Sequence, residues 1–264
     1  MTNTADQPIA ALRSGHDSLV ALVHTLSPEQ IAGRSGAAEW SVAQVLSHLG
    51  SGAEIGLAAL NASLHGAEKP AEGFNRSVWD RWDAMTPPDQ AHHFMMSNEK
   101  LVRAYEKLDD ATRTNGTVDL GFLPAPVDVA TAASFRLTEF ALHSWDVAVT
   151  FDPDATLAPE AVEPLLTTVP LLIGWIGKPA DVLGGHGVAV TVRTSDPTRD
   201  FGLEITDKVG LVDSPDDADA ELVLPAESWL RLATGRLQPT HTPAGVTVNG
   251  DITLEKLRQI FPGY

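Results

Sequence analysis

The chain lacks cysteine altogether, and this absence excludes several kinds of chemistry. None of its 264 residues is a cysteine, so disulfides, cysteine-ligated zinc, iron–sulfur clusters and a cysteine nucleophile are all excluded. Any thiol chemistry must therefore use a thiol that is supplied from solution.

Basic residues and long apolar runs are also scarce. Lysine and arginine number 18 against 35 acidic residues, which gives a net charge of −17. Such a surface repels nucleic acid and anionic lipid. No run of about 18 apolar residues is present to span a bilayer, and positions 1–7 lack the basic and apolar regions of a signal peptide. We therefore expect a soluble, cytoplasmic protein whose partner is a small-molecule substrate rather than nucleic acid or membrane.

Hydrophobic residues make up 43 % of the chain, and the spacing at which they recur changes once. Up to about residue 176 they recur at helical spacing. Ser41 with Gln44 forms a capping box, and Thr86 with Pro87 suits the start of another helix. Four or more helices with short links favour an antiparallel bundle.

The pattern is different after the glycine-rich segment 184–187, which is typical of a linker. From Val188 onwards apolar and polar residues alternate, as they do in strands, and two helices are predicted among the strands. The sequence therefore predicts an α class N-terminal domain at 1–178 and a small α+β domain at 186–264. No sheet is expected within the first 150 residues.

The helical segment 135–146 carries the strongest chemical signal in the chain. Glu139 and His143 are four residues apart, so they share one helix face. Most other sides of this helix are apolar, and a carboxylate is costly to bury there unless it is paired or bound to metal. A second apolar helix carries His48. If the two helices pack together, the three side chains form a His/Glu/His site with open coordination positions.

Other interpretations of the same residues remain open. His48 could be a core histidine bonded to a backbone carbonyl, and Glu139 with His143 could be a surface pair. Asp146 could orient a ligating imidazole or pair with a basic residue. Arg136 could hold a substrate carboxylate or form an ion pair with Glu139 or Asp146.

Two segments resemble a known family. The run WSVAQVLSHL at 40–49 resembles the W-[ST]-v-x-[DQ]-[VL]-x-x-H-L element of DinB-like proteins and, more narrowly, of the N-terminal domain of mycothiol-dependent maleylpyruvate isomerases. The pattern R-x-x-E-x-x-x-H-x-x-D at 136–146 resembles that family's second element. The run VTVNGD at 246–251, with Leu257 and Phe261, is similar to the sterol-carrier-protein-like domain that follows it.

The resemblance implies a fold and a chemistry. The fold is a DinB-like antiparallel four-helix bundle followed by a sterol-carrier-like α+β domain. The bundle binds a divalent metal, usually zinc, through His48, Glu139 and His143, and mycothiol is the thiol co-substrate. The absence of cysteine agrees with this, because the reactive sulfur then comes from mycothiol. We expect thiol transfer to a small electrophile, or its isomerisation, with Arg136 and Asp146 assisting.

Three residues in the C-terminal part, Trp229, Arg231 and Arg236, are further candidates for ligand contacts. A competing hypothesis is a non-catalytic protein that binds a small or lipid-like ligand and keeps a structural metal. A structural site is usually closed by four protein ligands, and the chain offers three without a convincing fourth, which favours the enzyme. A stress-induced DinB-like protein of another activity is the third hypothesis.

Overall fold

The computed structural model describes residues 4–184, 186–213, 215 and 217–263. Positions 1–3 of the predicted domain at 1–178, Gly185 of the predicted linker, and positions 214, 216 and 264 of the predicted C-terminal domain lie outside the described residues. The chain divides into two compact units, Met1–Pro164 and Leu165–Tyr264.

Helices dominate the N-terminal unit. Their bounds are α1 (Asp6–Val23), α2 (Pro28–Ala32), α3 (Val42–Leu64), α4 (Phe74–Asp83), α5 (Pro87–Glu106), α6 (Asp110–Asn115) and α7 (Val129–Ala148). Helix α1 packs on α5 and α7, and α3 packs on α4, α5 and α7. Fully buried apolar side chains, among them Leu12, Leu46, Phe94 and Phe140, fill the space between these helices.

Side-chain caps fix where several helices of the N-terminal unit begin. Ser41 accepts a hydrogen bond from the backbone N–H of Gln44, and the Gln44 side chain accepts one from the N–H of Ser41. Thr86 caps α5 and Asp128 caps α7, each by accepting a hydrogen bond from the backbone N–H three residues later. Each cap satisfies an N–H that lacks a partner within its helix. The start sites predicted for α3 and α5 are confirmed.

The expectation of no sheet in the first 150 residues was wrong. Two short strands, β1 (Thr117–Val118) and β2 (Val127–Asp128), pair antiparallel on either side of the turn before α7. Strands of two residues are too short to show an alternating pattern, so hydrophobic periodicity does not reveal them. The one-turn helices α2 and α6 escaped prediction for the same reason.

Helix α8 (Pro159–Ile176) ends at the residue where the helical spacing of the sequence ends. The two compact units divide inside this helix. The domain boundary predicted from the sequence lies later, at 178–186. It was placed there because the hydrophobic period changes before the first long strand. These domain limits stay a prediction.

The C-terminal unit is built on one five-stranded sheet. Its elements after α8 are α9 (Ala180–Leu183), β3 (Val188–Ser195), β4 (Arg199–Ile205), β5 (Val209–Val212), β6 (Ala220–Pro225), α10 (Ala226–Ala233), β7 (Thr247–Gly250) and α11 (Leu254–Ile260). The strand order is β5-β4-β3-β6-β7, and β3 with β6 is the parallel pair. Trp229 of α10 packs edge-on against Phe201 and Phe261 in the core. The predicted mixture of helices and strands is confirmed.

Within the described residues, no helix combines the length and the apolar character needed to cross a membrane.

Candidate metal centre

Three side chains from two helices converge in the N-terminal unit. The Nε2 atom of His48, on α3, lies 3.3 Å from Oε2 of Glu139, on α7. The Nε2 atom of His143, one turn further along α7, lies 3.9 Å from the same oxygen. One candidate ligand atom from each residue lies within 4.8 Å of the other two. Two atoms bound at about 2.1 Å to one tetrahedral ion are about 3.4 Å apart, so the spacing fits a shared cation.

Asp146 lies behind His143 in the position expected of a residue that orients a metal ligand. Its side chain is 1 % exposed, and its Oδ2 is 2.8 Å from Nδ1 of His143. Because a carboxylate accepts here, Nδ1 carries the proton, and in the neutral imidazole the lone pair lies on Nε2, the atom that faces Glu139. The Asp146 contact therefore fixes the orientation of the imidazole; a part for Asp146 in metal binding or catalysis stays a prediction.

Glu139 is an anion in this setting. Burial raises the pKa of its carboxyl, but the hydrogen bond from His48 and the charges of His143, His48 and Arg136 outweigh burial, and the pKa lies below its usual value. The carboxylate is thus ionised at neutral pH and can bind a cation without first losing a proton.

Trp40 covers both imidazoles, a role that the sequence did not reveal. Its ring stacks on His143 with centroids 5.6 Å apart and is tilted against His48 at 5.2 Å. Trp40 directly precedes Ser41, whose capping box starts α3. This cap was visible in the sequence, whereas the ring contacts depend on the packing of α3 against α7.

Arg136 contacts the neighbouring helices. Its Nη2 donates to the backbone oxygen of Leu49 at 2.8 Å and to Oδ1 of Asn98 at 2.7 Å. Its buried Nε makes no hydrogen bond within the described residues. Burial lowers the pKa of the guanidinium to about 10, although the charge of Glu139 opposes this. A direct part for Arg136 in catalysis stays a prediction.

The three candidates in the C-terminal unit are all buried. Trp229 is 1 % exposed, Arg231 2 % and Arg236 8 %. The Arg231 guanidinium donates to both carboxylate oxygens of Glu227, at 2.7 and 2.8 Å, and to the backbone oxygen of His241. These side chains hold their own unit together, and their role in ligand binding stays a prediction.

A cavity of about 590 Å³ opens beside His48. It lies wholly within the N-terminal unit, between α3, α4 and the start of α5, and sequence reasoning did not single it out. Its lining residues are Trp40, Ser41, Gln44, Ser47, His48, Ser51, Trp79, Asp83, Met85, Pro87 and Gln90. A molecule in this cavity would be adjacent to one of the three candidate metal ligands.

Fold and site define a protein of mixed helices and strands with a candidate three-residue metal centre. The family described as the mycothiol maleylpyruvate isomerase N-terminal domain matches residues 12–148, and the three converging side chains lie within that range. The chain belongs to this family, and the resemblance predicted from the sequence is confirmed.

Two solved structures share the fold. A crystal structure of the mycothiol-dependent maleylpyruvate isomerase has a TM-score of 0.66 at 14 % identity and covers 96 % of this chain and 98 % of its own. A histidine-to-alanine mutant of that enzyme has a TM-score of 0.64 at the same identity and coverage. No curated protein matches the chain.

Proposed function

We propose that the protein is an enzyme that uses a divalent metal and mycothiol to transfer a thiol to, or isomerise, a small electrophilic substrate. The observation that carries the proposal is the convergence of His48, Glu139 and His143 with Asp146 behind them. Two imidazoles and one carboxylate are a donor set of catalytic zinc sites, in which the fourth position stays open. Zinc is therefore the proposed metal.

A bound metal would lower the pKa of a coordinated thiol, so that thiolate would be available at neutral pH. The side chains of the chain prepare the site for it. Glu139 contributes negative charge, Asp146 fixes the orientation of His143, and Trp40 packs against both imidazoles. The proposed reaction is attack of the mycothiol sulfur on an electrophilic carbon, which gives thiol transfer or, if the adduct rotates and expels the thiol, isomerisation.

We also propose the finer description of the fold. Helices α1, α3, α5 and α7 form the DinB-like antiparallel four-helix bundle, and the C-terminal unit is a sterol-carrier-like domain. The pairwise packing of these four helices supports the first assignment, and the five-stranded sheet with α10 and α11 supports the second.

The test replaces the metal with cobalt and titrates mycothiol. Elemental analysis of the purified protein should find one divalent ion per chain. Mycothiol should then produce a sulfur-to-cobalt charge-transfer band, and thiol consumption should follow with electrophilic substrates. Saturating mycothiol that produces no band, with cobalt confirmed in place, would contradict the thiol mechanism and leave a hydrolytic or structural metal.

A further inference from the structure

A second cavity, of about 170 Å³, lies on the side of α7 that faces away from the candidate metal ligands. It is enclosed by α1, α7 and the segment 156–161, all within the N-terminal unit. The side chains of α7 that line it run from Leu137 to Ala148 at steps of three or four residues or to a direct neighbour, so they share one face. At about 100° per residue, that face is turned away from Glu139 and His143. The cavity is therefore separate from the candidate metal centre.

The two helices that enclose this cavity cannot move together to close it. A Cβ atom on Gly15 of α1 would lie 3.0 Å from Cε1 of Phe140 on α7, so the helices are already in close contact there. Ala11, one turn earlier on the same face of α1, and Ala141 of α7 also line the cavity. Their side chains are too short to fill the space beside the contact. The cavity thus follows from small residues set next to a tight helix crossing.

The third wall is held in place by a hydrogen bond, and one rim of the cavity is open. The indole N–H of Trp145, on α7, donates to the backbone oxygen of Ala155 at 2.8 Å. Thr156 and Ala158, which follow in the chain, line the cavity and are exposed, as is Ser18 of α1. A small molecule can therefore enter at this rim while the helices stay packed.

Ser144 places one unpaired polar atom in the wall of the cavity. Its Oγ is buried and has no hydrogen-bond partner within the part of the chain that the structure describes. Leaving a buried hydroxyl unpaired is costly, so a ligand that bonds to it gains affinity. None of the described residues that line the cavity is ionisable, and a charged ligand would lose its hydration without a partner. The wall therefore favours a neutral ligand with one polar group.

The volume limits the size of that ligand. Apolar cavities of about 150 Å³ hold a benzene molecule, so about 170 Å³ accommodates one six-membered ring with a small substituent. The rings of Phe140 and Trp145 offer aromatic surface to such a ring.

We propose that this cavity is a binding site for a small neutral ring compound that carries one hydroxyl group. The ring packs between α1 and α7 against Phe140, and the hydroxyl bonds to Oγ of Ser144. The site goes beyond the proposed function, since it uses none of the candidate metal ligands.

The binding test uses three probes that differ in one substituent: para-fluorophenol, para-fluorotoluene and para-fluorobenzoate. Fluorine NMR titration of the full chain measures each affinity. Para-fluorophenol should bind saturably and more tightly than para-fluorotoluene, because only the hydroxyl bonds to Ser144. Para-fluorobenzoate should bind at least about tenfold more weakly than para-fluorophenol, because its charge finds no partner. Absence of saturable binding by para-fluorophenol would overturn the proposal.

Ser144→Ala separates the hydrogen bond from the packing of the ring. The affinity for para-fluorophenol should fall about fivefold, while that for para-fluorotoluene should stay within about twofold. Ser134→Ala, which changes a serine of α7 outside the cavity lining, is the matched control and should alter neither affinity. Unchanged affinity for para-fluorophenol in Ser144→Ala, or an equal loss for both probes, would contradict the assigned contact.

Two further variants test where the ring binds. Ala141→Leu fills the cavity from α7, and Ser18→Trp covers its open rim from an exposed position of α1. Each should weaken binding of para-fluorophenol at least about tenfold, because the space for the ring is lost. Circular dichroism checks that Ala141→Leu is folded, and Ser18→Trp decides the outcome if it is not. Unaltered affinity in Ser18→Trp would place the ring elsewhere and overturn the assignment.

Discussion

Each unit of the chain holds a cluster of charged side chains, and the two clusters differ in what satisfies them. In the C-terminal unit, Arg231 is 2 % exposed and its guanidinium is bonded to Glu227 and to a backbone oxygen. In the N-terminal unit, Glu139 and His48 are each more than a third exposed. Their candidate ligand atoms, with that of His143, surround a single point beside a cavity.

The difference separates polar groups enclosed by their partners within the protein from polar groups whose possible ligand atoms converge beside a cavity. A buried ion pair with its hydrogen bonds made has little left to offer to another molecule. A carboxylate and two imidazoles that face one another offer lone pairs to a cation. The comparison favours the N-terminal cluster as the functional site and does not favour ligand contacts for Arg231.

The largest effect is expected from His143→Ala. Removing one of three ligands should reduce bound metal to background and abolish thiol-dependent activity. Elemental analysis and a thiol-consumption assay measure the two results. His92→Ala, which removes an exposed histidine of α5, should change neither. Full metal content in His143→Ala would contradict the choice of the N-terminal cluster as the metal site.

Arg231→Met tests the other cluster. It leaves the Glu227 carboxylate without its buried partner, so the free energy of unfolding should fall by about 3–5 kcal/mol. Urea denaturation measures the loss. Metal content of the folded fraction should not change.

The double variant Arg231→Met/Glu227→Leu is the control for that prediction. It removes both charges and should recover much of the lost stability. A variant Arg231→Met that keeps its stability but loses ligand binding would instead make the C-terminal cluster a ligand site.

Asp146→Asn tests whether Asp146 orients His143 in the candidate metal centre. The amide keeps the shape but weakens the hold on His143 Nδ1, so metal affinity should fall about 10–100-fold. Competition with a chelator measures the affinity, and Asp152→Asn, an exposed change, serves as the control. Unaltered affinity would mean that the 2.8 Å contact does not orient the ligand.

The smallest effect is a dependence of stability on pH in the metal-free protein. The folded-state pKa of Glu139 lies below its ordinary value of 4.5. Its stabilising contribution is therefore present above that value and is lost as the pH falls through the lower, folded-state pKa. Glu139→Gln should make the decline below about pH 4.5 less steep in urea denaturation. Glu68→Gln, an exposed change, should give the same dependence of stability on pH as the unaltered protein. If the curve of Glu139→Gln runs parallel to that of the unaltered protein, the link between the Glu139 pKa and stability is contradicted.

Local signals in the sequence predicted much of the fold. The capping box at Ser41 and Gln44 and the strand pattern from Val188 are both present. Each depends on residues that are close in the chain. The parallel pairing of β3 with β6 could not be predicted in this way, because β4 and β5 lie between them in sequence.

The candidate metal centre shows the same contrast between local signals and contacts that are distant in sequence. The sequence by itself determined that Glu139 and His143 share a face, because helical geometry places residues four apart together. Only the tertiary structure decided that His48, 91 residues away from Glu139, lies within 3.3 Å of it. It also decided that Trp40 covers both imidazoles and that Arg136 contacts Leu49 and Asn98. Local hydrogen-bond geometry is encoded in short stretches of sequence, whereas contacts between helices depend on the packing of the whole core.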